Sequence, residues 1–312
     1  MTKAIQWWLC ITSLLASLAV ADDARPLSIG AYYYPWYDSN GLHWSEGYYG
    51  KNKGQQPALG LYSSRAQKTI QQHITWSADL GIDHWICSWW GPGSWEDQTL
   101  KNQILPELAD NPAAPKFCLL YESAGLLGLS DEHGINFDET GQTAKFAEHF
   151  RYLARNYLSH PNYLRIDGKP VIYLYLTRTF SGDYAFALKR ARVAAEAQGF
   201  ELYLVGDEVF WAKPDNIRIQ QFDAITSYNM HGPERFADLT DWRPFIEEVE
   251  AVYQNYRDVA SSHGVNFIPG VMPGFDANHT ETIYYPIPRT LSPTDPAWST
   301  LRDTYIFSAF RE

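Results

Sequence analysis

Aromatic rings and carboxylates occur together at the ends of several apolar, β-rich runs. The first run leads into Tyr32-Tyr33-Tyr34-Pro35-Trp36-Tyr37, with His43-Trp44 close behind. The second ends in Trp89-Trp90, followed by Glu96-Asp97, and the third in Tyr121-Glu122. Later runs end in Gly206-Asp207-Glu208, Tyr228-Asn229-Met230-His231 and Pro273-Gly274-Phe275-Asp276. Sugars need this mixture, because their apolar C–H faces stack on Trp and Tyr while their hydroxyls take donors and acceptors from Asp, Glu, Asn and His. The expected sugar-binding residues are therefore Tyr33, Trp36, His43, Trp89, Trp90, Glu122, Glu208, Tyr228, Asn229, His231 and Asp276. Any one of these rings can instead be ordinary packing, and Tyr173 and Tyr175 are read as core.

Glycosidic bond cleavage needs two carboxyl groups flanking the anomeric carbon, one protonated and one ionised. Glu122 and Glu208 each end an apolar run, where an unpaired carboxylate is costly unless solvated or paired. In principle they form such a pair, but both are assigned to sugar binding. No Cys/His cluster has zinc spacing, and neither a phosphate-cradling loop nor a dinucleotide fingerprint is present, so neither a metal nor a cofactor is expected.

The elements that must position these residues follow from the pattern of the chain. Strands are predicted over 27–34, 82–89, 116–122, 170–176, 200–206, 222–228 and 266–272, and helices over 64–80, 99–109, 142–158, 183–198 and 242–263. Leu80-Gly81-Ile82-Asp83 and Gln198-Gly199-Phe200 are helix stops running straight into strands. Strict alternation with such short links implies parallel strands with helical crossovers. An α/β fold of the (β/α)8 barrel type results, with its site at the C-terminal ends of the strands. Residues 295–312 carry apolar positions at helical spacing behind an Asp295-Pro296 start, so the eighth strand is expected to lie beyond Glu312. The alternative places that strand at 304–310. Trp76, on the first predicted helix, is expected to face the strands.

Composition bounds the partners. The 312 residues carry a formal net charge of −11, which argues against nucleic acid, and the 45% hydrophobic content is that of a globular chain. Twelve Trp, 21 Tyr and 15 Phe exceed what packing requires, pointing to a ring-lined site. Lys3, the apolar run that follows, and Ala19-Val20-Ala21 read as a signal peptide over 1–21, leaving one domain over 22–312. The expected location is secreted or periplasmic, with no membrane attachment after cleavage. An uncleaved anchor is the alternative, against which the apolar run is short. Cys87 and Cys118 are read as buried free thiols, with a disulfide as the alternative, and Asn278 heads a glycosylation sequon.

Ile29-Gly-Ala-Tyr-Tyr-Tyr-Pro-Trp36, Leu59-Gly-Leu-Tyr-Ser-Ser64 and Gly81-Ile-Asp-His-Trp-Ile-Cys-Ser-Trp-Trp-Gly91 together resemble glycoside hydrolase family 99, the endo-α-1,2-mannosidases, and its relative family 71. Pro269-Gly-Val-Met-Pro-Gly-Phe-Asp276 and Pro288-Arg289 resemble a late barrel loop of that group. The resemblance implies a cofactor-independent, endo-acting, retaining glycosidase on α-linked mannan or glucan-type glycans. It also implies a catalytic acid pair in an Asn-Glu-Trp-x-Glu motif after the last strand. These 312 residues hold no such motif, so the pair is expected beyond Glu312, and the chain as given is expected to be a fragment and inactive. Tyr121-Glu122-Ser123 replaces the family's histidine-glutamate pattern after the third strand. Two alternatives remain: a non-catalytic carbohydrate-binding barrel, and a domain associated with polysaccharide-assembly glycosyltransferases.

Overall fold

The computed structural model describes residues 28–40, 43–44, 57–109, 111–230 and 243–272. Seven strands run parallel in sequence order: β1 (Gly30–Tyr33), β2 (His84–Trp89), β3 (Lys116–Tyr121), β4 (Lys169–Leu174), β5 (Tyr203–Asp207), β6 (Ala224–Thr226) and β7 (Asn266–Ile268). Five lie within the segments read from sequence, while β4 begins one residue before its segment, at Lys169, and β5 ends one residue after its own, at Asp207. Among the described residues no ladder joins β7 to β1. The expected eighth strand, the 295–312 helix, the 1–21 leader and Asn278 lie outside them.

Helices connect the strands: α1 (Gln67–Leu80), α2 (Trp95–Thr99 and its continuation through Leu105–Ala109), α3 (Gln142–Asn156), α4 (Tyr184–Glu196) and α5 (Arg243–Ser262). Each crossover returns the chain to the same end of the sheet, which keeps the strands parallel. Gly81 ends α1 in the left-handed region at φ 68°, donating to Ala78 O, while Ile82 N donates to Ser77 O. Helix α2 is Trp95–Thr99 continued by a π turn at Leu100–Ile104 and by Leu105–Ala109. It begins four residues before the expected start because Ser94 caps it, its hydroxyl accepting from Asp97 N at 3.1 Å.

Parallel strands covered on both faces are apolar on both faces. All six residues of β2 are buried, as are five of six in β3 and all of β5. Phe146, Phe150 and Leu153 of α3 and Ala187, Ala191 and Ala195 of α4 are buried in the same core, the small alanines letting that helix approach closely. Cys87 and Cys118 are buried free thiols. Trp76 corrects the expectation for α1: it is 37% exposed, because the buried stripe runs through Ile70, Ile74 and Ser77.

Candidate functional site

Successive strand residues point to opposite faces, and parallel pairing at equal register keeps one face continuous across the sheet. On β2, Trp85 donates its indole N–H to Ser77 of α1 and Trp89 donates to Asp97 of α2, so these two face the helices. Ser88 therefore turns the other way, and β3 follows suit. Tyr121 meets His149 of α3 on the outside, leaving Glu122, one residue on, inside. At β1 the inward residues are Tyr32, whose ring meets Tyr173 and Tyr228 from across the barrel, and Tyr34.

The inward ends form one ring-lined mouth. Tyr34 stacks on Trp36 with centroids 4.6 Å apart, Trp36 stacks on His43 at 4.9 Å, and Trp90 lies 6.3 Å from Trp36. Tyr228 hydrogen-bonds Tyr34 through the two hydroxyls and meets the ring of Tyr175 at 4.8 Å. Trp90 remains 38% exposed and rests on Gly125 of the short helix Ser123–Leu127, where a Cβ would fall 2.3 Å from the indole. The indole N–H of Trp36 is buried without an acceptor, a donor left unsatisfied at the rim.

Glu122 sits among these rings, 5% exposed, with Oε1 accepting from Ser88 Oγ at 2.5 Å. Ser88 Oγ in turn lies 2.9 Å from Trp90 Nε1. Burial pushes the Glu122 carboxyl up to about 7; the Ser88 hydrogen bond opposes the rise and the nearby Glu96 charge adds to it. Tyr34, Tyr175 and Tyr228 are all pushed upward, chiefly by burial, and each feels the Glu122 charge.

A second inward carboxylate is fully committed. Asp207, 2% exposed at the end of β5, accepts through Oδ2 from Leu176 N at 3.0 Å and Arg178 at 2.6 Å, and through Oδ1 from Tyr228 N at 3.0 Å. It ties the loops after β4 and β6 to the strand between them. Leu176 is held at φ 53°, a left-handed conformation unusual for a branched residue.

Three expected site residues lie elsewhere, each for the same reason: one residue along a strand reverses the face. Tyr33 stacks on Trp85 at 4.3 Å and hydrogen-bonds His73 of α1, in the helix layer. Trp89 is fully buried against α2 and α3. Its partner Asp97 also accepts from Tyr157, Tyr152, Lys101 and Gly93 N. Burial pushes the Asp97 carboxyl upward, but the hydrogen bonds of Tyr157, Lys101, Trp89 and Tyr152 together hold it below its ordinary value. Glu208 pairs with Arg218 at 3.0 Å behind the sheet, and Arg218 also donates to Phe180 O and Thr177 O. Glu122 and Glu208 thus stand on opposite faces and do not form a pair.

Trp36, His43, Trp90, Glu122 and Tyr228 are brought together, and Asn229 follows Tyr228 half-buried. His231 and Asp276 lie outside the described residues. Sequence reasoning missed Tyr34, Ser88 and Asp207, the inward neighbours of Tyr33, Trp89 and Glu208; Tyr175, read as core, packs partly buried against the core and also meets Tyr228 at the mouth. Their signal was parity: once Glu122 is placed inside, the register Ser88↔Leu120 places Ser88 inside as well. Among the described residues, no group of three or more His, Cys, Asp or Glu is placed to hold a metal ion, and no helix is long and apolar enough to cross a membrane.

Residues 40–282 match the family described as Glycosyltransferase WbsX. No curated protein matches the chain. Among solved structures it is similar to the GH99 endo-alpha-mannosidase from Bacteroides thetaiotaomicron, with a TM-score of 0.64 at 17% identity over 90% of this chain and 81% of that one. A glycoside hydrolase-like protein gives a TM-score of 0.66 at 18% identity, covering 84% of this chain and 76% of the other. A glycoside hydrolase family 5 enzyme from Prevotella bryantii gives 0.50 at 9% identity over 89% and 95%. At these identities the likeness establishes a shared glycoside hydrolase barrel fold.

Proposed function

The chain belongs to the WbsX family, within the GH99-like glycoside hydrolase superfamily, and from that premise we propose that it binds and processes an α-linked glycan of mannan or glucan type at its barrel mouth. The observation that carries this reading is the ring of Tyr34, Trp36, His43, Trp90 and Tyr228 around a buried carboxyl, Glu122. Stacking faces and a hydrogen-bonding floor are what a pyranose needs, and the orphan Trp36 N–H is a further donor for a ligand oxygen. Endo-acting, retaining hydrolysis is the reaction proposed, in keeping with the superfamily, for a chain that carries the Asn-Glu-Trp-x-Glu acid pair; these 312 residues hold no such motif and are proposed to supply the glycan-binding mouth. Export through the leader at 1–21 places it outside the cytoplasm in this proposal.

The family description favours a second reading, in which the same mouth serves polysaccharide assembly by glycosyl transfer. One experiment separates the readings. Purified protein, as these 312 residues and as a chain that also carries the acid-pair motif, is incubated with α-mannan, α-glucan and their oligosaccharides, and reducing ends and chain-length products are followed with and without an acceptor sugar. Net release of reducing ends supports hydrolysis. Elongated products without net release support transfer, and binding without either supports a carbohydrate-binding barrel. Absence of binding to every glycan overturns all three.

A further inference from the structure

An indole N–H can donate a hydrogen bond but cannot accept one in its plane. Trp90 Nε1 lies 2.9 Å from Ser88 Oγ, so the hydroxyl oxygen accepts there. Ser88 has one proton, and it is left for the other neighbour, Glu122 Oε1, at 2.5 Å. The chain of bonds therefore has a fixed direction, from Trp90 through Ser88 to Glu122. Oε1 is committed as an acceptor whichever charge the carboxyl carries, because a proton on it would face the proton of Ser88. A proton taken up by Glu122 belongs on Oε2. That oxygen has no hydrogen-bond partner among the described residues, and it is not among the side-chain atoms sealed from solvent without a partner.

The groups facing Glu122 favour the neutral form. Tyr34 comes from the end of β1, Tyr175 follows β4, Tyr228 follows β6, and Glu96 comes from α2. Three of these are neutral phenols and the fourth is an acid. Asp207, the other carboxylate of the inward face, is occupied by Arg178 and two backbone donors.

We propose that Glu122 holds its proton on Oε2 and donates it as a hydrogen bond to an acceptor-only oxygen of a neutral glycan, a ring or glycosidic oxygen, with Ser88 and Trp90 as positioning residues. This rests on the glycan-binding reading above and assigns the chemistry of its floor. A neutral sugar is selected over a uronate, whose charge would add to the field that Glu96 already exerts on Glu122. The same indole that offers its face to the sugar thereby fixes, through its N–H, the oxygen that carries the proton. Burial holds the carboxyl near about 7, so the donor is present in acid and is lost above neutrality.

The test has a ligand-free arm and a binding arm. Infrared difference spectra of the wild type minus Glu122→Gln, recorded from about pH 5 to about pH 9, isolate the Glu122 carboxyl. A protonated-carboxyl band that titrates away near neutrality is expected. In Ser88→Ala, which removes the bond favouring the anion, the midpoint moves upward, and Ser88→Thr returns it. Calorimetry with α-1,2-mannobiose and with maltotetraose forms the second arm. Wild-type affinity is expected to fall about tenfold between the two ends of that range, the worth of one lost hydrogen bond. Glu122→Gln, whose amide accepts from Ser88 and donates from the Oε2 position, should vary less than twofold. Absence of the band with binding intact overturns the proposal and leaves the glycan reading standing. A titrating band with no binding of either sugar overturns the donated bond together with the glycan reading.

Discussion

Trp89 and Trp90 are joined by one peptide bond and serve opposite sides of the sheet. Trp89 is sealed in the helix layer with its N–H on Asp97, while Trp90 lies in the mouth with its N–H on Ser88. Their truncations should therefore separate. Trp89→Ala opens a core cavity and strips Asp97 of a donor, at a cost of about 3–5 kcal/mol. Trp90→Ala should weaken oligosaccharide binding by about 1 kcal/mol with little loss of stability. Chemical denaturation alongside calorimetry checks both, and a Trp90→Ala protein that unfolds early yet binds normally would reverse the assignment.

Gly125→Ala should act at a distance. The position is helical, so alanine favours the local backbone by about 1 kcal/mol. Its methyl, however, would occupy the space of the Trp90 ring at 2.3 Å. Expected are an altered tryptophan emission and a roughly fivefold weaker glycan affinity, with the melting temperature unchanged or raised. Unaltered emission and affinity would mean that the ring does not rest on this glycine.

Asp207→Ala should be among the most damaging single changes in the mouth. It leaves Leu176 N, Tyr228 N and the Arg178 guanidinium without their acceptor. Breaking a buried pair of this kind costs about 3–5 kcal/mol. Asp207→Asn keeps one acceptor oxygen and should lose less. Urea midpoints of the two variants decide, and equal stability of Asp207→Ala and wild type would remove the clamp from consideration.

Acid should draw stability from two named groups. Burial, with Lys145 nearby, holds His149 down to about 4, so the folded form keeps it neutral while the unfolded chain protonates from about 6.5. The stability from this group is complete above the unfolded value and is lost as pH falls from there toward about 4. Asp97 has a lowered folded value too, so its contribution is complete above the ordinary carboxylate range and is lost below it. Glu122, pushed up to about 7, gains stability over much the same range, so the histidine contribution is read as a difference. The melting temperature of the wild type relative to His149→Gln, whose amide can still pair with Tyr121, should fall as pH drops between the histidine limits.

The sequence disclosed the strands more fully than it disclosed their faces. All seven were legible because apolar runs bounded by helix stops such as Leu80-Gly81 have few other solutions. Which way each residue points was not legible, because β2 is buried on both sides and its His-Trp-Ile-Cys-Ser-Trp shows no polar alternation to count. Tyr33 was therefore chosen where Tyr34 lines the mouth, and Glu208 where Asp207 does. Glu122 was found because a lone carboxyl closing an apolar strand needs a reason to be there. The helix that seats Trp90, Ser123–Leu127, is five residues long, too short to leave a periodic trace.

Asp207 also marks where the mouth can change. Its two oxygens fix the first turns after β4 and β6, as far as Arg178 on one side and Tyr228 on the other. An insertion inside those points would pull a backbone N–H off the carboxylate, so the length of the two turns is fixed by it. Descendants of this sequence that keep the carboxylate can thus acquire new ligands only through changes outside these two turns.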